Sequence, residues 1–179
     1  MRKLIESTFM TLNGVIDNPQ NWSGPYWDEE HSAYSTKLME NIEAQVLGRV
    51  TYEGFAEAWS QRSGDPFTDK FNAMPKYVAS RTLTETTWNA QLLEGDVADA
   101  VRRLKEEDGG DLIKYGTGSF SKTLLDHKLV DEYHFWIFPV LARGERLFGD
   151  IDLDITHLEL LGSTTFKSGI IVHKLAPKA

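Results

Sequence analysis

Three short segments of this 179-residue chain combine residue types that bind phosphate groups. They are residues 48–51 (GRVT), 80–82 (SRT) and 116–119 (GTGS), and each follows a run that predicts a β-strand. The first two offer a guanidinium group, and the third offers backbone N–H groups beside glycines. Ligands of open α/β sheets bind outside the carboxyl ends of the strands. If the three strands are parallel neighbours, their ends form one cleft that suits a ligand with several phosphates.

The third segment belongs to a strand, turn and helix unit in residues 111–129. A short apolar run precedes the glycines, and apolar residues recur at helical spacing from Phe120 to Leu129. Ser119 is a candidate N-cap for this helix, whose free N–H groups favour a phosphate. Ser121 replaces the third glycine of the dinucleotide-binding fingerprint. A glycine turn without any ligand therefore remains an alternative.

A polar loop at residues 17–26 carries Trp22 and leads to Trp27 and Asp28. These tryptophans either pack on the body of the protein or flank a pocket. Asp28 begins a predicted helix, where an acid complements the helix dipole. The alternative is that one residue of the cluster Asp28, Glu29, Glu30 and His31 has a raised pKa in a partly apolar pocket and delivers a proton to a substrate.

Metal chemistry is not indicated. The five histidines lack the H-x-x-x-H spacing, and the chain has no cysteine.

The elements that position these residues alternate along the chain. Predicted strands cover residues 4–10, 44–48, 76–79, 112–115, 131–140, 158–166 and 170–175, with a further short strand at 86–88. Predicted helices cover residues 28–42 and 52–59, the segment after Asp96 and the segment after Gly118, with Thr51 as another candidate N-cap. Residues 60–75 are interpreted as a surface loop. This order predicts a mostly parallel α/β sheet with an antiparallel edge that ends in a hairpin around residues 167–169.

Length, net charge and composition limit the classes of protein to which this chain can belong. The length suits one domain over residues 1–179. The formal net charge of −8 argues against nonspecific nucleic-acid binding, which needs a basic face. No apolar run approaches the ~20 residues that span a bilayer. The absence of cysteine fits a cytoplasmic protein.

Five blocks of the chain, in matching order, resemble motifs of the dihydrofolate reductase-like superfamily. Within it, the chain is most similar to the riboflavin-biosynthesis reductase domain of the RibD C-terminal type. The blocks are residues 10–16 (MTLNGVI), 46–53 (VLGRVTYE), 76–81 (KYVASR), 116–119 with the following Leu124 and Leu125, and 131–144 (DEYHFWIFPVLARG). The resemblance implies a dihydrofolate reductase-like α/β fold, with a mostly parallel central sheet flanked by helices and a C-terminal antiparallel hairpin.

The resemblance also implies a site for NADPH. The residues it assigns to the cofactor are Phe9, Thr11, Ile16, Arg49, Val50, Thr51, Ser80, Arg81, Gly116, Thr117, Gly118, Ser119 and Phe120. Those it assigns to the substrate are Asn13, Trp22 and Asp28, with Asp28 as the catalytic proton donor. Asn13 departs from the family pattern, which usually has Asp there, and Thr117 replaces a second consecutive glycine.

The resulting expectation is an NADPH-dependent reductase of a small pyrimidine- or pterin-like heterocycle. The resemblance is to 5-amino-6-(5-phosphoribosylamino)uracil reductase and to dihydrofolate reductase. The alternative is a nucleotide-binding module of the same fold without reductase turnover. Apolar residues on both faces of the strand at 131–140 indicate either a central strand or one covered by a partner subunit, so a homodimer is also expected.

Overall fold

The computed structural model describes residues 1–149 and 151–178, which form an eight-stranded sheet with helices packed on it. The strands are β1 (Leu4–Thr11), β2 (Ile42–Gly48), β3 (Lys76–Ala79), β4 (Ala90–Leu92), β5 (Asp111–Tyr115), β6 (Glu132–Phe138), β7 (Leu158–Thr165) and β8 (Ile171–Pro177). The α-helices are α1 (Glu29–Met39), α2 (Arg49–Trp59), α3 (Pro66–Ala73), α4 (Val97–Glu106) and α5 (Ser119–Asp126). Asp150 and Ala179, which the predicted domain includes, lie outside the described residues.

The strand order across the sheet is β4-β3-β2-β5-β1-β6-β8-β7. The first six strands in this order run parallel to one another, and β8 runs antiparallel to both β6 and β7. The predicted fold class is therefore confirmed, including the C-terminal antiparallel hairpin.

The three strands that precede the predicted phosphate-binding segments are adjacent. β2 pairs with β3 on one side and with β5 on the other, and all three run in the same direction. Their carboxyl ends therefore lie at one edge of the sheet. β1 and β6 continue this parallel set, so the loops that follow them also leave from that edge. The sequence analysis made this adjacency the condition for a common cleft, and the structure meets that condition.

Both faces of β6 are buried within a single chain. Tyr133 and Phe135 belong to the core cluster under α4 and α5, whereas Trp136 and Phe138 pack with Phe166 on the opposite face. The central position of β6 explains its apolar residues on both faces, so this strand by itself does not require a partner subunit.

The predicted loop at residues 60–75 is wrong in its middle, because α3 lies there. Asp65 caps this helix by accepting a hydrogen bond from the N–H group of Thr68 at 2.9 Å, and Pro66 takes the first helical position. Phe71 is 3 % exposed and anchors the helix on the sheet. Asp65 followed by Pro66 is a typical start of a helix, but the polar composition of residues 60–75 led to the prediction of a loop.

Two other boundaries differ from the predictions. The predicted strand at residues 86–88 is wrong, because Trp88 and Asn89 both have positive φ angles and the strand β4 begins only at Ala90. The first predicted helix ends at Met39 instead of Ile42, which lies in β2. Among the helices of the described residues, none combines the length and the apolar character that a bilayer crossing requires.

Candidate functional site

The segments that follow β2 and β5 meet through Thr51 and Gly116. Gly116 has a φ angle of +71°, in the left-handed region that favours glycine. A Cβ atom at this position would lie 2.7 Å from Thr51 Oγ1. A Cβ atom on Gly48 would lie 3.7 Å from the Cβ atom of Phe120. The distance at Gly48 is an ordinary contact, so it is Gly116 that lets the turn after β5 approach the first turn of α2 closely and brings two predicted phosphate segments together.

The helices that begin at these two segments differ from the others at their N-termini. Helices α1, α3 and α4 each begin after an aspartate whose carboxylate accepts a backbone N–H bond: Asp28, Asp65 and Asp96. Helices α2 and α5 instead begin after Gly48 and Gly118, and neither has a side-chain cap. Thr51 and Ser119 were predicted as N-caps, and this is wrong because both lie inside the first helical turn. Two neighbouring helices therefore present uncapped N–H groups and positive dipole ends, as an anion site requires.

Arg49 and Arg81 lie at the same edge of the sheet with exposed side chains. Arg49 is the first residue of α2, and its Nη1 atom lies 3.5 Å from the Glu53 carboxylate. Arg81 follows Ser80, whose Oγ atom accepts hydrogen bonds from the N–H groups of Thr82 and Leu83 at 3.2 and 3.0 Å. An exposed ion pair of this kind contributes little to stability, so the guanidinium group of Arg49 can exchange Glu53 for a ligand at little cost.

A groove of about 260 Å³ opens beside the N-terminus of α5. One wall consists of Thr117, Gly118, Ser119 and Lys122, and the other comes from the loop after β6, with Glu145, Arg146, Phe148, Gly149 and Ile151. Lys122 and Arg146 are therefore cations at the site that the sequence analysis did not assign. The whole of β6 separates α5 from the loop that carries Arg146 in the sequence. The fold is what brings this arginine to the N-terminus of α5.

Asn13 connects the loop after β1 to the loop after β6. Its Nδ2 atom donates to the carbonyl oxygen of Ala142 at 2.8 Å, and its Oδ1 atom accepts from the N–H group of Ala142 at 3.1 Å. The same Oδ1 atom accepts from the Thr11 hydroxyl at 2.8 Å, and Thr11 is fully buried. Val15 then forms an antiparallel bridge with Arg146. The side chains of Asn13 and Thr11, predicted to contact substrate and cofactor, are thus used to hold these two loops together.

An aromatic cluster lies on the face of the sheet covered by α1. The ring of Phe9 is 5.0 Å from that of Phe138 and 5.2 Å from that of Trp136. Trp22 packs against Phe138, and its Nε1 atom donates to the carbonyl oxygen of Asp17 at 3.2 Å. Trp22 therefore packs on the body of the protein. Ile16, also assigned to the cofactor, is half-buried, and its N–H group donates to the carbonyl oxygen of Glu145.

Asp28 is the N-cap of α1, since its Oδ1 atom accepts from the N–H group of His31 at 2.8 Å. Asp28 therefore has the structural role at the helix start that the sequence analysis kept as one of two possibilities, and this role uses one of its two carboxylate oxygens.

His31 is 7 % exposed and lies between Phe9, Trp136 and the half-exposed Trp27, which stacks on it. Burial lowers the pKa of His31, and the Asp28 carboxylate partly offsets this. Its buried Nε2 atom has no hydrogen-bond partner within residues 1–149 and 151–178. The sequence analysis considered this histidine as a metal ligand and as one of four candidate proton donors at the start of the helix.

Comparison with known proteins agrees with this geometry. The profile of the RibD C-terminal domain family matches residues 2–172. The uncharacterized protein YyaP of Bacillus subtilis strain 168 is 29 % identical over 179 residues, which cover 95 % of this chain and 92 % of that protein.

Two solved structures share the fold at low sequence identity. One is the dihydrofolate reductase of Enterococcus faecalis in complex with NADP(H), with a TM-score of 0.65, 16 % identity, and coverage of 99 % of this chain and 97 % of that chain. The other is a diaminohydroxyphosphoribosylaminopyrimidine deaminase/5-amino-6-(5-phosphoribosylamino)uracil reductase of Thermotoga maritima, with a TM-score of 0.70 and 15 % identity. Here the alignment covers 99 % of this chain and 57 % of that chain. The reductase-like fold and the family profile lead to one conclusion: the chain belongs to the RibD C-terminal domain family.

Proposed function

We propose that the protein is an NADPH-dependent reductase of a small pyrimidine- or pterin-like heterocycle. The observation that carries this proposal is the contact of Thr51 with Gly116, which places two uncapped helix N-termini side by side. A dinucleotide with a pyrophosphate needs such paired N–H donors. This close contact requires glycine at position 116, because a Cβ atom there would overlap with Thr51 Oγ1.

The residues divide into three groups along the proposed cofactor site. Arg49, Val50 and Thr51, together with Gly116, Thr117, Gly118, Ser119 and Phe120, are proposed to hold the pyrophosphate. Ser80 and Arg81 are proposed to contact the adenosine 2′-phosphate. The nicotinamide is proposed to lie beside Phe9 and Ile16, with the backbone of Thr11 next to it. When bound, NADPH supplies the hydride, and the protein supplies alignment and a proton.

The proton donor is proposed to come from the pair of Asp28 and His31. Both lie at the start of α1, next to the aromatic cluster that contains Phe9. One oxygen of Asp28 caps the helix, which leaves the other for a substrate. The substrate is proposed to lie against Trp27 and His31, where stacked rings suit a flat heterocycle.

The test is a titration with NADPH, followed by assays of NADPH oxidation with pterins and ribosylaminopyrimidines. We expect saturable binding and turnover with at least one substrate. Absence of NADPH binding would overturn the proposal.

The second candidate is a nucleotide-binding module without turnover. It is favoured by the capping role of Asp28 and by the use of the Asn13 amide within the protein. Binding of NADPH without oxidation across both substrate classes would support it over the reductase.

Substitution of Arg81 by alanine is expected to weaken binding of NADPH more than binding of NADH. A lost charge-assisted hydrogen bond to the 2′-phosphate costs about 1.5–3 kcal/mol, and NADH lacks that phosphate. Dissociation constants for both nucleotides, measured by fluorescence titration, test this. Arg103→Ala, at an exposed arginine of α4, is the control. Equal losses for NADPH and NADH would remove the assignment of Arg81.

Substitution of Arg49 by alanine is expected to weaken NADPH binding by about 1–3 kcal/mol, because a guanidinium contact with the pyrophosphate is lost. Glu53→Gln is the matched control, since it breaks the same ion pair but keeps the guanidinium group. We expect this control to bind NADPH at least as tightly as the wild type. An unchanged dissociation constant for Arg49→Ala would contradict the proposed role.

A homodimer is proposed through β7, at the end of the sheet. Leu158, Leu160 and Leu161 on this strand are 38 %, 58 % and 48 % exposed, and β8 is its only strand partner among the described residues. An exposed apolar edge strand of this kind pairs readily with a second copy. We expect a dimeric mass by light scattering at micromolar concentration and a monomeric mass for Leu160→Glu. A monomeric mass of the wild type would contradict the dimer.

A further inference from the structure

A buried ion pair lies directly beneath the turn that follows β5. Glu6 on β1 and Lys114 on β5 face each other as paired residues of adjacent strands. Their side chains are 1 % and 2 % exposed, and the Lys114 Nζ atom lies 3.3 Å from Glu6 Oε2. Burial raises the pKa of Glu6 and lowers that of Lys114, while each charge opposes the effect of burial on the other. Two charges are rarely removed from water in this way without additional hydrogen bonds.

The additional bonds of Lys114 all go to the turn and the helix after it. Its Nζ atom donates to the carbonyl oxygen of Gly116 and to Ser121 Oγ, the latter at 2.7 Å. The same atom lies 5.7 Å from the centre of the Phe120 ring. The ammonium group therefore contacts both ends of the segment proposed to bind the pyrophosphate.

The bond to Gly116 fixes the orientation of one peptide group. In a trans peptide, the carbonyl group and the following N–H group point in opposite directions. The peptide between Gly116 and Thr117 is trans, and Lys114 holds its carbonyl group toward the interior. The N–H group of Thr117 must then point away from the core. It donates to no acceptor within residues 1–149 and 151–178.

We propose that Lys114 is a positioning residue that orients the Gly116–Thr117 peptide so that the Thr117 N–H group donates to a diphosphate. This inference rests on the proposed function and specifies how its phosphate site is built. Glu6 serves as the buried counter-ion that keeps the ammonium group under the turn. If the ion pair only stabilised the fold, its removal would change the affinities for ligands with and without a diphosphate to the same extent.

The experiment replaces the pair by apolar residues of similar volume, Glu6→Leu together with Lys114→Met. Such replacements of buried pairs are often neutral or stabilising, so the melting temperature should change little. We expect the affinity for NADPH and for ADP-ribose, which both contain a diphosphate, to fall about tenfold or more, as for a lost hydrogen bond to a charged group. The affinity for adenosine 2′-monophosphate, which has no diphosphate, should stay within about threefold. If the apolar pair does not fold, Glu6→Gln with Lys114→Gln removes both charges and carries the same expectation.

Lys105→Met is the matched control, because it removes a buried ammonium group of α4 that bonds to the carbonyl oxygen of Leu129 and pairs with Asp131, away from the turn. We expect its affinity for NADPH to stay within about threefold of the wild type. A double variant that binds NADPH as the wild type does, or that weakens all three ligands equally, would overturn the role of Lys114 and leave the proposed function intact. A wild type that binds none of the three ligands would overturn the proposed function itself.

Discussion

Replacement of Gly116 by alanine is expected to destabilise the protein by about 2–3 kcal/mol and to weaken NADPH binding at least tenfold. The φ angle of +71° costs about 1–2 kcal/mol for a residue with a Cβ atom. The added methyl group would also lie 2.7 Å from Thr51 Oγ1, which forces the two segments apart. Because these segments are the ones proposed to hold the pyrophosphate, their separation should reduce affinity as well as stability. Chemical denaturation and NADPH titration measure the two effects separately.

Gly118→Ala is the matched control in the same turn. Its φ angle of 161° is extended backbone that any residue adopts, and a Cβ atom there would have no heavy atom within 4 Å. We expect its free energy of unfolding to stay within about 0.5 kcal/mol of the wild type. Thr51→Ala in the Gly116→Ala background should recover part of the lost stability, because it removes the steric overlap but not the backbone strain. A Gly116→Ala variant as stable as Gly118→Ala would contradict this account of the turn.

The location of the predicted phosphate segments at the ends of strands could be predicted from local signals and one general rule, whereas their adjacency depends on the strand order. A few consecutive residues are enough to identify each strand and the glycine or arginine that follows it. Parallel strands then place their carboxyl ends at one edge of the sheet. The positions of Gly48, Ser80 and Gly116 at that edge needed only this information. The helix caps were not predictable in the same way. Thr51 and Ser119 are good capping residues, but the helices begin earlier, directly after Gly48 and Gly118.

The contacts beneath and around the site could not be predicted, because they join distant parts of the chain. Nothing near Glu6 in the sequence indicates that Lys114 lies on the neighbouring strand, since that depends on the strand order. The same holds for Asn13 and Ala142, which meet only because β1 and β6 are adjacent. Asp28 shows the opposite case, in which a local capping signal was present but the family resemblance favoured a catalytic role.

Replacement of Lys76 by methionine is expected to lower the free energy of unfolding by about 2–4 kcal/mol. Lys76 is completely buried at the start of β3, and its Nζ atom donates to the carbonyl oxygens of Phe71, Asn72 and Met74 at 2.7–2.9 Å. The ammonium group also lies 4.2 Å from the centre of the Trp88 ring. Burial lowers its pKa only to about 8, so the charge is retained at pH 7. Methionine fills similar space, and the carbonyl oxygen of Phe71 keeps a bond from Gln45 Nε2, but those of Asn72 and Met74 lose this donor, and each buried unpaired group costs about 1–3 kcal/mol.

Lys37→Met is the control for this substitution, because Lys37 is exposed in the last turn of α1. Its free energy of unfolding should stay within about 0.5 kcal/mol of the wild type. Urea denaturation at pH 7 compares the two variants directly. Since β3 leads to Ser80 and Arg81, Lys76→Met should also weaken NADPH binding if the start of the strand loosens, whereas Lys37→Met should not. Equal stability of the two variants would show that the carbonyl groups at the end of α3 find other donors and that Lys76 does not anchor the strand.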